Sequence, residues 1–294
     1  MRGGEAGGTA PTDVPEFPVT DVVDAHVHLM PERLMRAIRE ALNDEAGWEF
    51  SHPTDLDRMT TILTEAGVDR FVCLPYAHSA GIADGVNEWI NDLTASTAQA
   101  VAFGTVHAAD EDIGSVVAEA FEAGARGLKF QFPVQGFPPD DPRLHPAYET
   151  AVEYDYPVMM HAGTAPMFRD DPNVGVERFR SFLESFPDVR ACAAHMGAYE
   201  FEAFLEVART HENAFLDTTF AMSSVAEEYM DFDPASVSDD AFEDLSTSIM
   251  YGSDFPNIPY AYAREREHLL SRDLSRETLR DLFSRTARRF LGEV

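Results

Sequence analysis

The chain has 294 residues, 45% of them hydrophobic, and carries 22 Lys and Arg against 52 Asp and Glu, a formal net charge of −30. That length fills a single large α/β barrel, while so negative a balance excludes nucleic acid and anionic membrane surfaces as default partners. No apolar run reaches the ~20 residues of a membrane span, and residues 1–18, rich in Gly and Pro, lack the apolar segment of a signal peptide, so a loose tail on a soluble cytoplasmic protein is expected.

Residues 19–23 are apolar and β-branched and read as a first strand that delivers His26 and His28 to its carboxyl end. Side chains two apart on a strand share a face, which points both imidazoles the same way in a metal-chelating arrangement. A helix over 31–43 follows, then a loop with Trp48, Phe50, His52 and Pro53, and a second helix that starts at an N-cap, Thr54, and stops at Gly67. Residues 70–74 form strand two, stopped by Pro75. A helix over 85–100 leads into strand three at 101–106, and a helix over 114–123 leads into strand four at 127–130. The alternation continues through a helix at 145–154 and strand five at 157–161, then a helix at 176–186 and strand six at 190–195. A helix at 201–210 precedes strand seven at 214–217. A long acidic connection, 223–248, contains a helical piece and precedes strand eight at 249–252, and helices at 261–270 and 276–291 close the chain. Strand and helix alternating eight times predict a single-domain (β/α)8 barrel over 19–294 rather than an open doubly wound sheet. No glycine-rich phosphate loop follows any strand, which weakens a nucleotide-binding reading.

Both cysteines, Cys73 and Cys192, sit in apolar runs and are expected as buried reduced thiols. The chain has one lysine, Lys129. This acid-rich, lysine-poor composition resembles that of proteins from salt-loving microbes, where high ionic strength screens self-repulsion. Acidic clusters such as Asp239, Asp240, Glu243 and Asp244 are accordingly read as solvated surface.

In a barrel the carboxyl ends of the strands converge on one face, so residues there are weighed together. They are His26 and His28 after strand one, Lys129 in strand four, His161 after strand five, His195 after strand six and Asp254 after strand eight. Nitrogen and oxygen donors of this kind suit zinc, and also manganese or iron(II), rather than calcium. A lone histidine is more often a satisfied polar residue than a ligand; several at one end of separate elements, completed by an aspartate, form a site.

The motifs Asp24-Ala-His26-Val-His28, Gly127-Leu-Lys129, His161-Ala-Gly163-Thr164, His195-Met-Gly197 and Gly252-Ser-Asp254-Phe-Pro256 resemble those of the amidohydrolase superfamily. They are most similar to its amidohydrolase-2 branch of metal-dependent barrels, which includes aminocarboxymuconate-semialdehyde and resorcylate-type decarboxylases. The resemblance implies that His26, His28, His161 and Asp254 ligate a divalent metal; a carboxylate beside metal-bound water can also accept its proton, so Asp254 is expected as a proton shuttle as well. It implies that His195 lies near the metal and acts in catalysis, or ligates a second ion in binuclear members. In binuclear relatives a lysine at the place of Lys129 is a carbamate that bridges two metals. The competing readings of Lys129 are a substrate-binding or catalytic ammonium and a structural ion pair.

The main functional expectation is hydrolysis of an ester, lactone or amide by metal-activated water; the alternative is non-oxidative decarboxylation of a small carboxylic acid. A non-catalytic barrel is the third reading, and the intact donor set counts against it. The expected partner is a small-molecule substrate that can bear a carboxylate, with a homo-oligomer left open. His107, His78, Arg126 and Arg169 are secondary candidates, the arginines for an anionic substrate. Tyr76, Phe132, Phe137, Met167, Phe168, Phe220 and Phe255 are candidates for cleft walls.

Overall fold

The computed structural model describes residues 16–293. Eight parallel strands, β1 (Val23–Val27), β2 (Arg70–Cys73), β3 (Ala100–Ala102), β4 (Leu128–Phe130), β5 (Val158–Met160), β6 (Ala191–Ala193), β7 (Ala214–Asp217) and β8 (Ile249–Met250), run in sequential order. They pair as two runs, β1 to β3 and β4 to β8. Backbone bonds close both seams. Between β3 and β4, Gly104 N donates to Gly127 O and Lys129 N to Gly104 O, both at 2.8 Å. Between β8 and β1, Ala25 N donates to Tyr251 O at 2.9 Å, Asp254 N to His26 O at 2.9 Å and His28 N to Phe255 O at 2.7 Å. The result is the expected (β/α)8 barrel.

Alternation along the strands separates two apolar layers. Val23, Ala25, Val72, Leu74, Phe103, Met159, Cys192, Phe215 and Met250 fill the interior, which Ala287, Phe290 and Leu291 of the last turns plug. Phe71, Leu128, Phe130, Val158 and Leu216 face outward and pack under the helices. Both cysteines are free and buried.

One irregularity sets the geometry of the mouth. Val23 and Asp24 pair with Arg70 and Phe71, whereas Val27 pairs with Cys73, so β1 spends three residues where β2 spends two. The extra residue is a bulge, which reverses the alternation beyond Ala25. Asp24 points outward, where its Oδ2 accepts from Ser253 Oγ at 2.6 Å and Tyr262 OH at 2.9 Å. His26 and His28 point into the mouth. Strict alternation would have put His26 on the outer face beside Asp24.

The helices are α1 (Glu32–Ala46), α2 (Leu56–Glu65), α3 (Ala83–Ser96), α4 (Ile113–Ala123), α5 (Phe132–Gln135), α6 (His145–Glu153), α7 (Val176–Ser185), α8 (Phe201–Thr210), α9 (Ala226–Met230), α10 (Asp239–Asp244), α11 (Arg264–Ser271), α12 (Arg276–Arg280) and α13 (Thr286–Phe290). The cap of α2 is Asp55, whose Oδ1 accepts from Arg58 N at 3.0 Å, one residue later than the expected Thr54. The closing helix expected over 276–291 is interrupted by a π turn at Asp281–Arg285. Of the acidic residues read as surface, Glu243 accepts from Ser275 and Thr278, and Asp239 from Arg272, so these carboxylates fasten α10 to α12 and the turn before it.

Most of the tail expected over 1–18 lies outside the described residues. Within it, Phe17 packs edge-on against Tyr251 and Phe283, with the Arg266 guanidinium 4.5 Å above its ring. No described helix is long and apolar enough to cross a membrane.

Candidate metal centre

The β1 bulge and the turn after β8 bring three donors together. His26, His28 and Asp254 each offer one atom, and these atoms lie within 4.8 Å of one another. His26 Nε2 is 3.2 Å from His28 Nε2, and Asp254 Oδ1 lies 3.3 Å from the first and 3.0 Å from the second. Asp254 is held in the left-handed region, at φ 59°, so strained backbone aims its carboxylate inward.

The tautomers follow from the other ring nitrogens, which all face acceptors. His26 Nδ1 donates to Asp217 Oδ2 at 2.8 Å, and His28 Nδ1 donates to Leu74 O at 2.9 Å. His195 Nδ1 donates to Thr219 O at 3.2 Å, which leaves its Nε2 to accept from His161 Nδ1 at 3.2 Å. His161 Nε2 is then a bare lone pair, buried and without a partner. His26, His28 and His161 therefore all present unprotonated Nε2 atoms. Two lone pairs and a carboxylate oxygen at about 3 Å, with no proton between them, repel unless a cation sits among them, so the donor set fits a divalent ion.

Burial is the largest influence on these groups. It pushes His26 and His161 well below the ordinary histidine range, reinforced at His26 by Lys129 and at His161 by His195, so both are neutral as ligands must be. Burial alone would raise the Asp254 carboxyl, but its polar contacts, with His28 first and then His26 and His195, outweigh burial and hold it well below the carboxylate range. Lys129 is fully buried, with Nζ 3.4 Å from His26 Nε2. Burial lowers its ammonium to about 8, opposed by Asp217 and Asp254.

All six predicted residues thus meet in one network, but not in one shell. His161 and His195 stand beside the three-donor group, and Lys129 lies beneath it. His195 sits on a left-handed turn with Met196 and Gly197, at φ 59°, 56° and 77°. A Cβ at Gly197 would fall 2.1 Å from Phe204 Cδ2, and one at Gly163 would fall 2.6 Å from the Gly197 backbone. Gly197→Ala should cost about 2 kcal/mol or more by overpacking, read as a lowered melting temperature.

The cleft above the donors encloses about 720 Å3 including its open mouth. His28, His161, His195 and Asp254 form its floor, and Trp48, Tyr76, Met167, Phe168 and Phe220 its walls. Of the predicted wall residues, Phe132, Phe137 and Phe255 are buried in the core instead, because their rings pack on Phe130, on His107 and on His52. The secondary candidates are elsewhere. Arg126 stacks on Tyr156, Arg169 stacks 4.3 Å above Tyr199, His107 packs on Phe137 and His78 is exposed.

Trp48 stacks on Phe220, with ring centroids 5.1 Å apart. Phe220 is fixed from behind by Glu265, which accepts from Phe220 N at 3.0 Å and from Tyr260 OH at 2.5 Å. Burial pushes the Glu265 carboxyl well above its ordinary range. A raised folded-state pKa adds stability at low pH, and that contribution is lost as pH rises through the folded value. Glu265→Gln keeps the bond from Phe220 N on its oxygen and donates its NH2 to the Tyr260 hydroxyl, which turns to accept, all without a charge. It should raise the melting temperature by roughly 3 °C or more at pH 8 and much less at pH 4, in thermal unfolding at the two pH values.

Sequence reasoning missed two residues here. Asp217 ends β7 and holds both His26 Nδ1 and, at 2.9 Å, the His195 backbone N–H. Its position at a strand end was the available signal. Asn257 lines the cleft three residues beyond Asp254, where nothing in its spacing marks it.

A (β/α)8 barrel with two strand-one histidines and a strand-eight aspartate converging at its mouth is a metal-dependent enzyme scaffold. The chain belongs to the amidohydrolase family of the amidohydrolase-2 type, whose model matches residues 23–292. No curated protein matches it. Among solved structures it is similar to an uncharacterized TIM-barrel protein from Bordetella bronchiseptica, at 18% identity and TM-score 0.73 over 92% of this chain and 98% of that one. It is similar to 5-carboxyvanillate decarboxylase from Sphingomonas paucimobilis, at 15% identity and TM-score 0.62 over 93% and 99%. It is also similar to 2,6-dihydroxybenzoate decarboxylase from Rhizobium, at 13% identity and TM-score 0.65 over 93% and 99%.

Proposed function

We propose that the chain is a metal-dependent carboxy-lyase that releases carbon dioxide from a small, flat carboxylic acid, ahead of the ester, lactone or amide hydrolysis that the motifs alone put first. The observation that carries this reading is the placing of the donor group at the floor of a cleft with aromatic and apolar walls. Loss of carbon dioxide disperses the charge of a carboxylate, so walls that withhold water favour it, whereas hydrolysis needs water at the reacting carbon. The decarboxylases that share the fold add support, as does a 5-carboxyvanillate decarboxylase from Novosphingobium aromaticivorans solved with manganese.

In this reading His26, His28, Asp254 and His161 hold the ion, with zinc first and manganese or iron(II) as the alternatives. When bound, the ion supplies Lewis-acid polarisation of a substrate oxygen. The chain does the rest. Tyr76, Phe168 and Phe220 position the flat body of the acid and exclude water from it. As the carbon–carbon bond breaks, its electron pair stays on the substrate carbon, which then takes up a proton. That proton comes from solvent, and Asp254 and His195, both at the floor, are the groups placed to relay it to the carbon. Lys129 does not line the cleft, so its ammonium acts from below, through its field on His26, rather than by touching substrate.

A cation in that position favours one ion over two, since a second dication would face it at close range. Elemental analysis should therefore find one equivalent of metal per chain, with carbon dioxide evolved from aryl carboxylic acids. Two equivalents together with ester or lactone cleavage, and no carbon dioxide, would restore hydrolysis and a carbamate at Lys129.

A further inference from the structure

We propose that the amino-end face of the barrel carries a second binding site, for a small anion with two or more linked phosphate groups, separate from the metal centre at the mouth. A groove of about 1080 Å3, open mouth included, runs between residues 17–21, which lead into β1, and the closing helical run. Arg276, Arg280, Arg285 and Arg288 all line it. Residues four apart on a helix share a side, so Arg276 and Arg280 of α12 stand one above the other. The π turn that follows is wider than an α turn and brings both Ser284 and Arg285 to the groove. Ser284 Oγ donates to Asp21 O at 2.8 Å and ties the two banks together.

Such a stripe is locally unfavourable, since like charges four apart weaken a helix. It is also out of keeping with a chain that has 52 acids against 22 bases, where an arginine finds a carboxylate close by. Arg143, Arg190 and Arg272 each hold an aspartate, at 2.5, 2.7 and 2.5 Å. In the groove, Arg276 and Arg280 have no acidic partner among the described residues, and Arg285 and Arg288 reach Glu277 and Glu293 only at 3.8 Å. Asp21 is the one acid among the described lining residues. A guanidinium fork takes phosphate oxygens two at a time, and linked phosphates present several such edges at about the spacing of side chains one helical turn apart. The ligand is small because charge is screened beyond ~8 Å at physiological ionic strength. Within the groove the arginines set the potential, whereas a nucleic acid or a membrane would extend past them onto a surface whose total is −30.

The test is calorimetric titration of the metal-loaded chain with inorganic pyrophosphate, orthophosphate and citrate, repeated on the double variant Arg276→Gln/Arg280→Gln. Both side chains are exposed, so the variant should melt with the unmodified chain. These anions also compete for the metal, equally in the two proteins, so the component of binding that the variant lacks belongs to the groove. That component should be about tenfold tighter for pyrophosphate than for orthophosphate or citrate, and should weaken about tenfold as salt rises from about 0.05 to about 0.5 M. Should the double variant melt early, Arg280→Lys serves instead, since it keeps the charge, loses the fork and should weaken pyrophosphate by about threefold. Identical isotherms for variant and unmodified chain, or a groove component that citrate fills as tightly as pyrophosphate, would overturn the proposal and leave the carboxy-lyase reading untouched.

Discussion

His26→Ala should leave a chain that retains less than a tenth of its metal and loses activity by about a thousandfold or more. His26 Nε2 is the donor that faces both other members of the group, His28 Nε2 at 3.2 Å and Asp254 Oδ1 at 3.3 Å, so its removal opens the set on two sides. The change also strands Asp217, which is fully buried and keeps only the His195 N–H and a long 4.0 Å contact from the Cys192 thiol. A buried carboxylate that loses one of its two donors costs roughly 1–3 kcal/mol. Metal content by elemental analysis, turnover and a thermal melt of the metal-free protein should therefore all move together. Full retention of metal and turnover would remove His26 from the site.

The second large effect is expected at Asp217→Asn, a change that alters no donor atom around the ion. Asp217 accepts two N–H hydrogen bonds, from His26 Nδ1 on one oxygen and from the His195 backbone on the other, beside a weak 4.0 Å contact from Cys192 Sγ. Asparagine has one oxygen and one NH2, and so can accept only one of them. If the oxygen serves His195, the NH2 faces His26 Nδ1 and drives the ring proton to Nε2, where it blocks the ion. If the oxygen serves His26, two N–H groups confront each other at the left-handed His195 turn, and the floor of the cleft shifts. Metal affinity should fall by about 10- to 100-fold in either case, read by competition with a chromophoric chelator. Unchanged affinity would mean that the proton on His26 is fixed by something other than Asp217.

These two expectations mark where the sequence was sufficient and where it was not. Periodicity and strand-end chemistry are local signals, and they yielded the barrel, the six polar residues of the network at its mouth, four of which form the cleft floor, and four of the wall residues. Asp217 was visible only as the last residue of a strand, because its partner His26 is 191 positions away. Asn257 depends in the same way on packing that no spacing records. The misassigned aromatics, Phe132, Phe137 and Phe255, follow the same logic in reverse: they lie in the right loops, but their rings turn into the core. The site histidines were found for an incomplete reason, since spacing of two explains why they share a side but not which side.

That last point traces to the additional residue in β1. Because of it, the orientation of both imidazoles depends on a count along the backbone rather than on any side chain. Removing Ala25 would turn the two rings from the lumen toward the helices in one step, while leaving every other functional group in place. Catalytic competence in this scaffold is therefore as sensitive to the length of β1 as to the identity of the ligands it carries. Drift in this lineage would be free to exchange wall residues one at a time, but a change of strand length at this place would be purged or would found a different protein.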